Sequence, residues 1–147
     1  MEKVVKAGLK FDLHIHSVVS AHKDGIKVKN NTLENIGVLI ERLNDNKVNL
    51  CSITDHDNFS YEMYRGLKAA ESMDNSILRV LPGVEFSVCF SSEGKESVIH
   101  VVTIFSDEND VKVQNLERIL QKNRPNYNDA YREEEFLALL REVDMNT

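Results

Sequence analysis

The chain has 147 residues, 41% of them hydrophobic and 29% charged, and carries a formal net charge of −6 at pH 7. That length suits one domain with a real core, and the composition is globular rather than disordered. The acidic balance argues against a broad nucleic-acid surface held by phosphate contacts. With no apolar run of membrane-spanning length and no signal-peptide core near Met1, a soluble cytoplasmic protein is expected.

Apolar and polar residues alternate from Phe11 to Ile15, which predicts a strand. The polar loop "KDGIKVKNN" follows. Leu33, Ile36, Leu39, Ile40 and Leu43 then fall at helical spacing, with Asn31 ahead of Glu34 as the expected helix start. "VNLCSIT" (Val48–Thr54) reads as a short buried strand. A second helix is predicted over Ser60–Met73, with Met63, Tyr64, Leu67 and Ala70 facing inward. "ILRVLPGVEFSV" extends to Val88, broken at Pro82-Gly83, and "SSEGKES" is a turn. "VIHVVTIF" (Val98–Phe105) completes a hairpin with it. Helices follow near Val111–Gln121 and Tyr131–Val143.

This mostly alternating order predicts an α/β architecture. The chain stops at Thr147 after a helix, where such a pattern would next supply a strand, so a piece of a longer protein is expected. Cys51 and Cys89 lie in apolar segments without a CxxC pair and read as buried, reduced thiols.

"FDLHIHSVVSAH" (Phe11–His22) holds three of the five histidines, His14, His16 and His22. Side chains alternate along a strand, so Asp12, His14 and His16 share one face. Residues i and i+2 are roughly 6.6 Å apart, and two imidazoles can lean from there towards one ion at about 2.0–2.1 Å. Taken alone, an HxH pair is equally two surface histidines. "SITDHDN" sets Asp55, His56 and Asp57 just past a strand, where α/β folds gather ligands. It also reads as a polar turn in which Asp57 or Asn58 caps the next helix. Glu85 sits inside the apolar "PGVEFSV", where a carboxylate is costly unless paired or metal-bound. Alone it is more commonly an outward-facing residue. His100 in "VIHVV" is, alone, more often a hydrogen-bonded core histidine.

All five histidines lie on, beside or just beyond a predicted strand, which scattered surface imidazoles would not do. The donor set is nitrogen and oxygen without sulfur, which fits zinc, manganese or iron better than a structural zinc finger. Six ligands exceed one tetrahedral ion, so a multinuclear site is inferred.

"DLHIHS", "TDHD", "GVE" and the histidine of "VIHVV" together resemble the PHP (polymerase and histidinol phosphatase) domain, in that family's order, over Phe11 to roughly Phe105. The resemblance implies the N-terminal portion of a distorted (β/α)7 TIM-like barrel, with up to three divalent ions at the strand ends. It implies His14, His16 and Glu85 as ligands of one ion, Glu85 bridging to a second shared with His100, and His22 and His56 on a third. Asp12 and Asp55 would orient imidazoles from behind the ligands. The chain departs from the family pattern after His100: no further histidine follows, and the Asp-x-His pair near the domain end is absent. By analogy each ion is one protein ligand short, which again reads as roughly the first half of a domain.

The activity implied is metal-dependent hydrolysis of a phosphate ester, with Glu85, His14 and His16 acting through a metal-bridged hydroxide. Lys23, Lys27 and Lys29 lie in the loop after His22, and Lys23 and Lys27 are candidates to meet substrate phosphate, although a solvated polar loop is the better explanation. The glycine spacing of a P-loop is absent from "EGKES", and there is no GxSxG elbow. The substrate is expected to be a small phosphorylated molecule. Alternatives are a nuclease-type module acting on nucleic-acid ends in a polymerase- or ATPase-linked protein, and a non-catalytic structural or regulatory module. Metal-dependent deamination or amide hydrolysis is a weaker third. A homodimer through an exposed sheet edge and further C-terminal domains are the expected partners.

Overall fold

A computed structural model describes residues 8–125 and 129–145. The alternation after Lys10 forms β1 (Phe11–Ile15), and the apolar run after Val48 forms β2 (Leu50–Ile53). They pair in parallel, Phe11 beside Leu50 and Ile15 beside Ile53, with an irregularity in register between Asp12 and Ile15. β3 (Arg79–Val80) adds to the other side of β2, also in parallel. β4 (Gly83–Ser92) and β5 (Lys95–Ile104) form the expected antiparallel hairpin around Glu93-Gly94, both at positive φ. β6 (Tyr131–Arg132) runs parallel to β4, giving a second sheet of order β5-β4-β6.

The fold is mixed α/β: two three-stranded sheets and five α-helices, with no closed barrel among the described residues. A one-turn helix, α1 (Ala21–Asp24), and two 3-10 turns occupy the loop after β1. α2 spans Ile36–Asp45, α3 Tyr61–Lys68, α4 Asp110–Lys122 and α5 Glu133–Met145. The core between helices and sheets is built on Cys51, Leu67, Ile77, Val84, Phe86 and Leu116. No helix among the described residues is long and apolar enough to cross a membrane.

Three helix ends differ from expectation, two of them because a side chain competes for the backbone. α2 begins five residues after Asn31, which instead donates from Nδ2 to the His16 carbonyl at 2.7 Å and holds the loop following β1. α3 starts as predicted, with Ser60 Oγ accepting from Met63 N at 3.2 Å, so neither Asp57 nor Asn58 is the cap. It ends at Lys68 rather than Met73, because Asn75 Nδ2 takes the Ala70 carbonyl and Ser72 Oγ takes Asp74 N. Tyr131 opens β6 instead of the last helix, which starts at Glu133 with three acids in its first turn.

Gly83 marks where the sheets press together. A Cβ there would meet Ser52 Oγ within contact distance, Thr54 Cγ2 at 2.8 Å and Ile104 Cδ1 at 2.9 Å. Gly83→Ala is therefore expected to destabilise the chain by about 1–3 kcal/mol through overpacking, read from the midpoint of urea unfolding.

Candidate metal centre

The carboxyl ends of β1 and β2 and the start of β4 converge. An isolated parallel bridge joins His56 to Glu85: Glu85 N donates to Asp55 O at 3.1 Å, and Asp57 N donates to Glu85 O at 2.9 Å. This seats the Glu85 side chain, 2% exposed, among four imidazoles. Oε2 lies 3.0 Å from His14 Nε2, 2.8 Å from His16 Nε2 and 3.3 Å from His56 Nδ1. Oε1 lies 2.8 Å from His100 Nδ1. In the hairpin Glu85 pairs with Val102, so His100 is its diagonal neighbour on one face.

The rings form an arc, with successive centroids His14–His16, His16–His56 and His56–His100 at 4.9, 4.5 and 5.2 Å. Asp24 adds a second carboxylate, 2.6 Å from His16 Nδ1 and 3.6 Å from His56 Nε2. Three groups result in which one donor atom per residue lies within 4.8 Å of the others: His14-His16-Glu85, His16-Asp24-His56 and His56-Glu85-His100. His16, His56 and Glu85 are the inner members. The side chains of His14 and His100 are 56% and 50% exposed and form the solvent edge.

The electrostatics suit a cation. Burial pushes His56 below the usual imidazole range against the pull of Glu85, which favours the neutral ring that ligates metals. Burial would raise Glu85, but the His14 hydrogen bond and the neighbouring imidazoles outweigh it and hold the carboxyl low and ionised. His16 Nε2 and His56 Nδ1 are buried without a hydrogen-bond partner. Both stand close to Glu85 Oε2 without the alignment of a hydrogen bond. A buried polar atom left unpaired costs about 1–3 kcal/mol, and a divalent ion between ring nitrogen and carboxylate removes that cost. Sulfur takes no part: the buried Cys51 thiol is pushed up to about 12, chiefly by burial.

Other expected residues serve differently. His22 is exposed, its Nδ1 lies 3.3 Å from Val19 O, and it belongs to none of the three groups. The same turn delivers Asp24 instead. Asp55 touches no imidazole. It accepts from Ser17 N and Ser17 Oγ at 2.6 Å and from Ser20 Oγ at 2.8 Å, fixing the loop after His16. Ser20 Oγ in turn accepts from His56 N. Asp12 meets the His14 backbone N–H at 3.4 Å rather than a ring. Lys23 is committed, donating to Asp57 Oδ2 at 2.6 Å and to Ser87 Oγ. Asp57, at φ +50°, also accepts from Ser87 N. Lys27 lines a cavity beside His16.

No protein-family model matches the chain, and no curated protein matches it. The functional reading therefore stands on the arrangement of these side chains and on the motifs that carry them. Sequence reasoning misses Asp24 because a carboxylate in a polar loop is ordinary, and its only cue is its position two residues after His22.

Proposed function

We propose that the chain is a metal-dependent phosphoesterase of the PHP type, built on the N-terminal portion of a distorted (β/α)7 barrel. The observation that carries the reading is the pair of unpartnered buried ring nitrogens, His16 Nε2 and His56 Nδ1, flanking the ionised Glu85. Support for the barrel portion is the parallel order β1-β2-β3 with the bridge from His56, just past β2, to Glu85 of β4 at the ligand end.

His14, His16, Asp24, His56, Glu85 and His100 would hold the ions, in the three groups described. Bound divalent ions supply Lewis acidity towards phosphoryl oxygens and acidify water near neutral pH. The protein's own part is to present neutral imidazoles, keep Glu85 ionised and shield the inner ligands. The half-exposed His14 and His100 leave the site open on one side, where an ester can enter. The net charge of −6 favours a small phosphate ester over a nucleic-acid end.

The test is elemental analysis of the purified chain together with hydrolysis of p-nitrophenyl phosphate and of single-stranded DNA. Expected are bound zinc, manganese or iron, and ester hydrolysis that a chelator removes and added metal restores. A chain that carries no metal and takes up neither zinc nor manganese overturns the reading. Faster cleavage of DNA than of the ester moves it to the nuclease class.

A further inference from the structure

We propose that a cavity beside His16 is a subsite for a second negative group on the substrate, so that the preferred esters are phosphomonoesters bearing another phosphate or a carboxylate. This rests on the phosphoesterase reading and narrows its substrate class. The cavity measures about 340 Å³ and is lined by His16, Lys27, Asn30, Asn31, Asn35 and Arg42 among others. It is of small-molecule size, near the lower end of the range of roughly 300–1,000 Å³. His16 belongs both to this wall and to two of the three ligand groups, so the cavity borders the candidate metal centre through that residue.

Two cations from separate elements meet there. Lys27 comes from the 3-10 turn Gly25–Val28 and Arg42 from the last turn of α2. Lys23, Arg65, Lys68, Arg79 and Lys122 each hold a carboxylate. Lys27 and Arg42, among the described residues, hold none. An uncommitted guanidinium offers a planar fork for phosphate or carboxylate, and an ammonium adds a point charge. Arg42 also lines the adjoining cavity of about 380 Å³ that contains Asp12 and His14, so it stands at the border of both. Two cations on a wall that also carries Val28, Val38 and Leu39 suit one small anion at the end of a short carbon chain. A nucleic-acid track would need a longer basic stripe.

The test compares n-propyl phosphate, 3-(phosphonooxy)propanoate and propane-1,3-diyl bisphosphate on the zinc-loaded wild type and on Lys27→Met/Arg42→Met. All three esters share one carbon chain and differ only in the far group. Charge-assisted contacts of this kind are worth at least about tenfold, so the wild type should prefer a doubly charged ester by that factor in kcat/KM. Which of the two wins tells phosphate from carboxylate. In the double variant the preference should fall towards unity. A preference unchanged by the substitutions, or an equal loss on all three esters, overturns the subsite. If no ester is turned over, calorimetric binding of the non-hydrolysable 1,3-propylenediphosphonate decides. Tighter binding to the wild type keeps the subsite and sinks the phosphoesterase reading, and equal binding sinks both.

Discussion

A Glu85→Gln chain should fold as the wild type does yet lose metal affinity by more than about 100-fold, beyond the loss typical of a group behind the ligands. Hydrolysis should fall with it. Glutamine keeps the shape of glutamate and removes only the charge. The backbone bonds that place residue 85, from its N–H to Asp55 O and from Asp57 N to its own carbonyl, do not involve the side chain. The carboxylate, in contrast, is shared by two of the three ligand groups and touches four imidazoles. A neutral amide leaves His14 and His100 without an anion and His16 and His56 with Asp24 alone, and two adjacent sites fail together. Asp24→Asn should lose less, because Asp24 enters one group only. Zinc titration in competition with a chromogenic chelator measures both variants, with circular dichroism to check the fold. A Glu85→Gln variant with wild-type metal content and wild-type rates would falsify the scheme.

The second large effect is on stability. Asp55→Ala is expected to cost about 3–5 kcal/mol, in the range for breaking a buried, charge-assisted network. Asp55 is 1% exposed, and the Ser17 and Ser20 groups that donate to it belong to residues with no exposure at all. Removing the carboxylate strands those buried donors, at about 1–3 kcal/mol each before relaxation. For a chain of this size the melting temperature should drop by roughly 2–4 °C per kcal/mol. Urea unfolding gives the free energy directly. The metal affinity of the folded variant should drop too, because the 17–20 loop ties His16 to the His56 backbone through Ser20 Oγ. A loss below about 1 kcal/mol would show that the loop stands without Asp55.

The strands and most of the candidate ligands are legible in the sequence because their cost is local. A histidine or glutamate inside "KFDLHIHS", "PGVEFSV" or "VIHVV" interrupts an apolar pattern, and the interruption can be seen without knowing the fold. Asp24 interrupts nothing: in "AHKDG" a carboxylate is cheap, and only the turn of α1 brings it to His16 and His56. For the same reason His22 reads like a ligand while lying outside the groups. Asp55 is legible as an acid beside the site but not in its task, since its partners Ser17 and Ser20 are small polar residues almost forty positions away. β6 is two residues long, too short for any periodicity, and depends wholly on pairing with Val88 and Cys89. The ends of α2 and α3 are set by asparagine and serine side chains, whose choice of backbone partner no propensity encodes.

The seam between the parallel sheet and the hairpin has a mechanical meaning. His14, His16 and His56 travel with the first body, and Glu85 and His100 travel with the second. The short spacings from Glu85 and His100 to the other three imidazoles exist only while the two bodies are in register, so these contacts act as an alignment gauge. A slight prying apart of the hairpin would open two of the three ligand groups well before the rest of the protein melts.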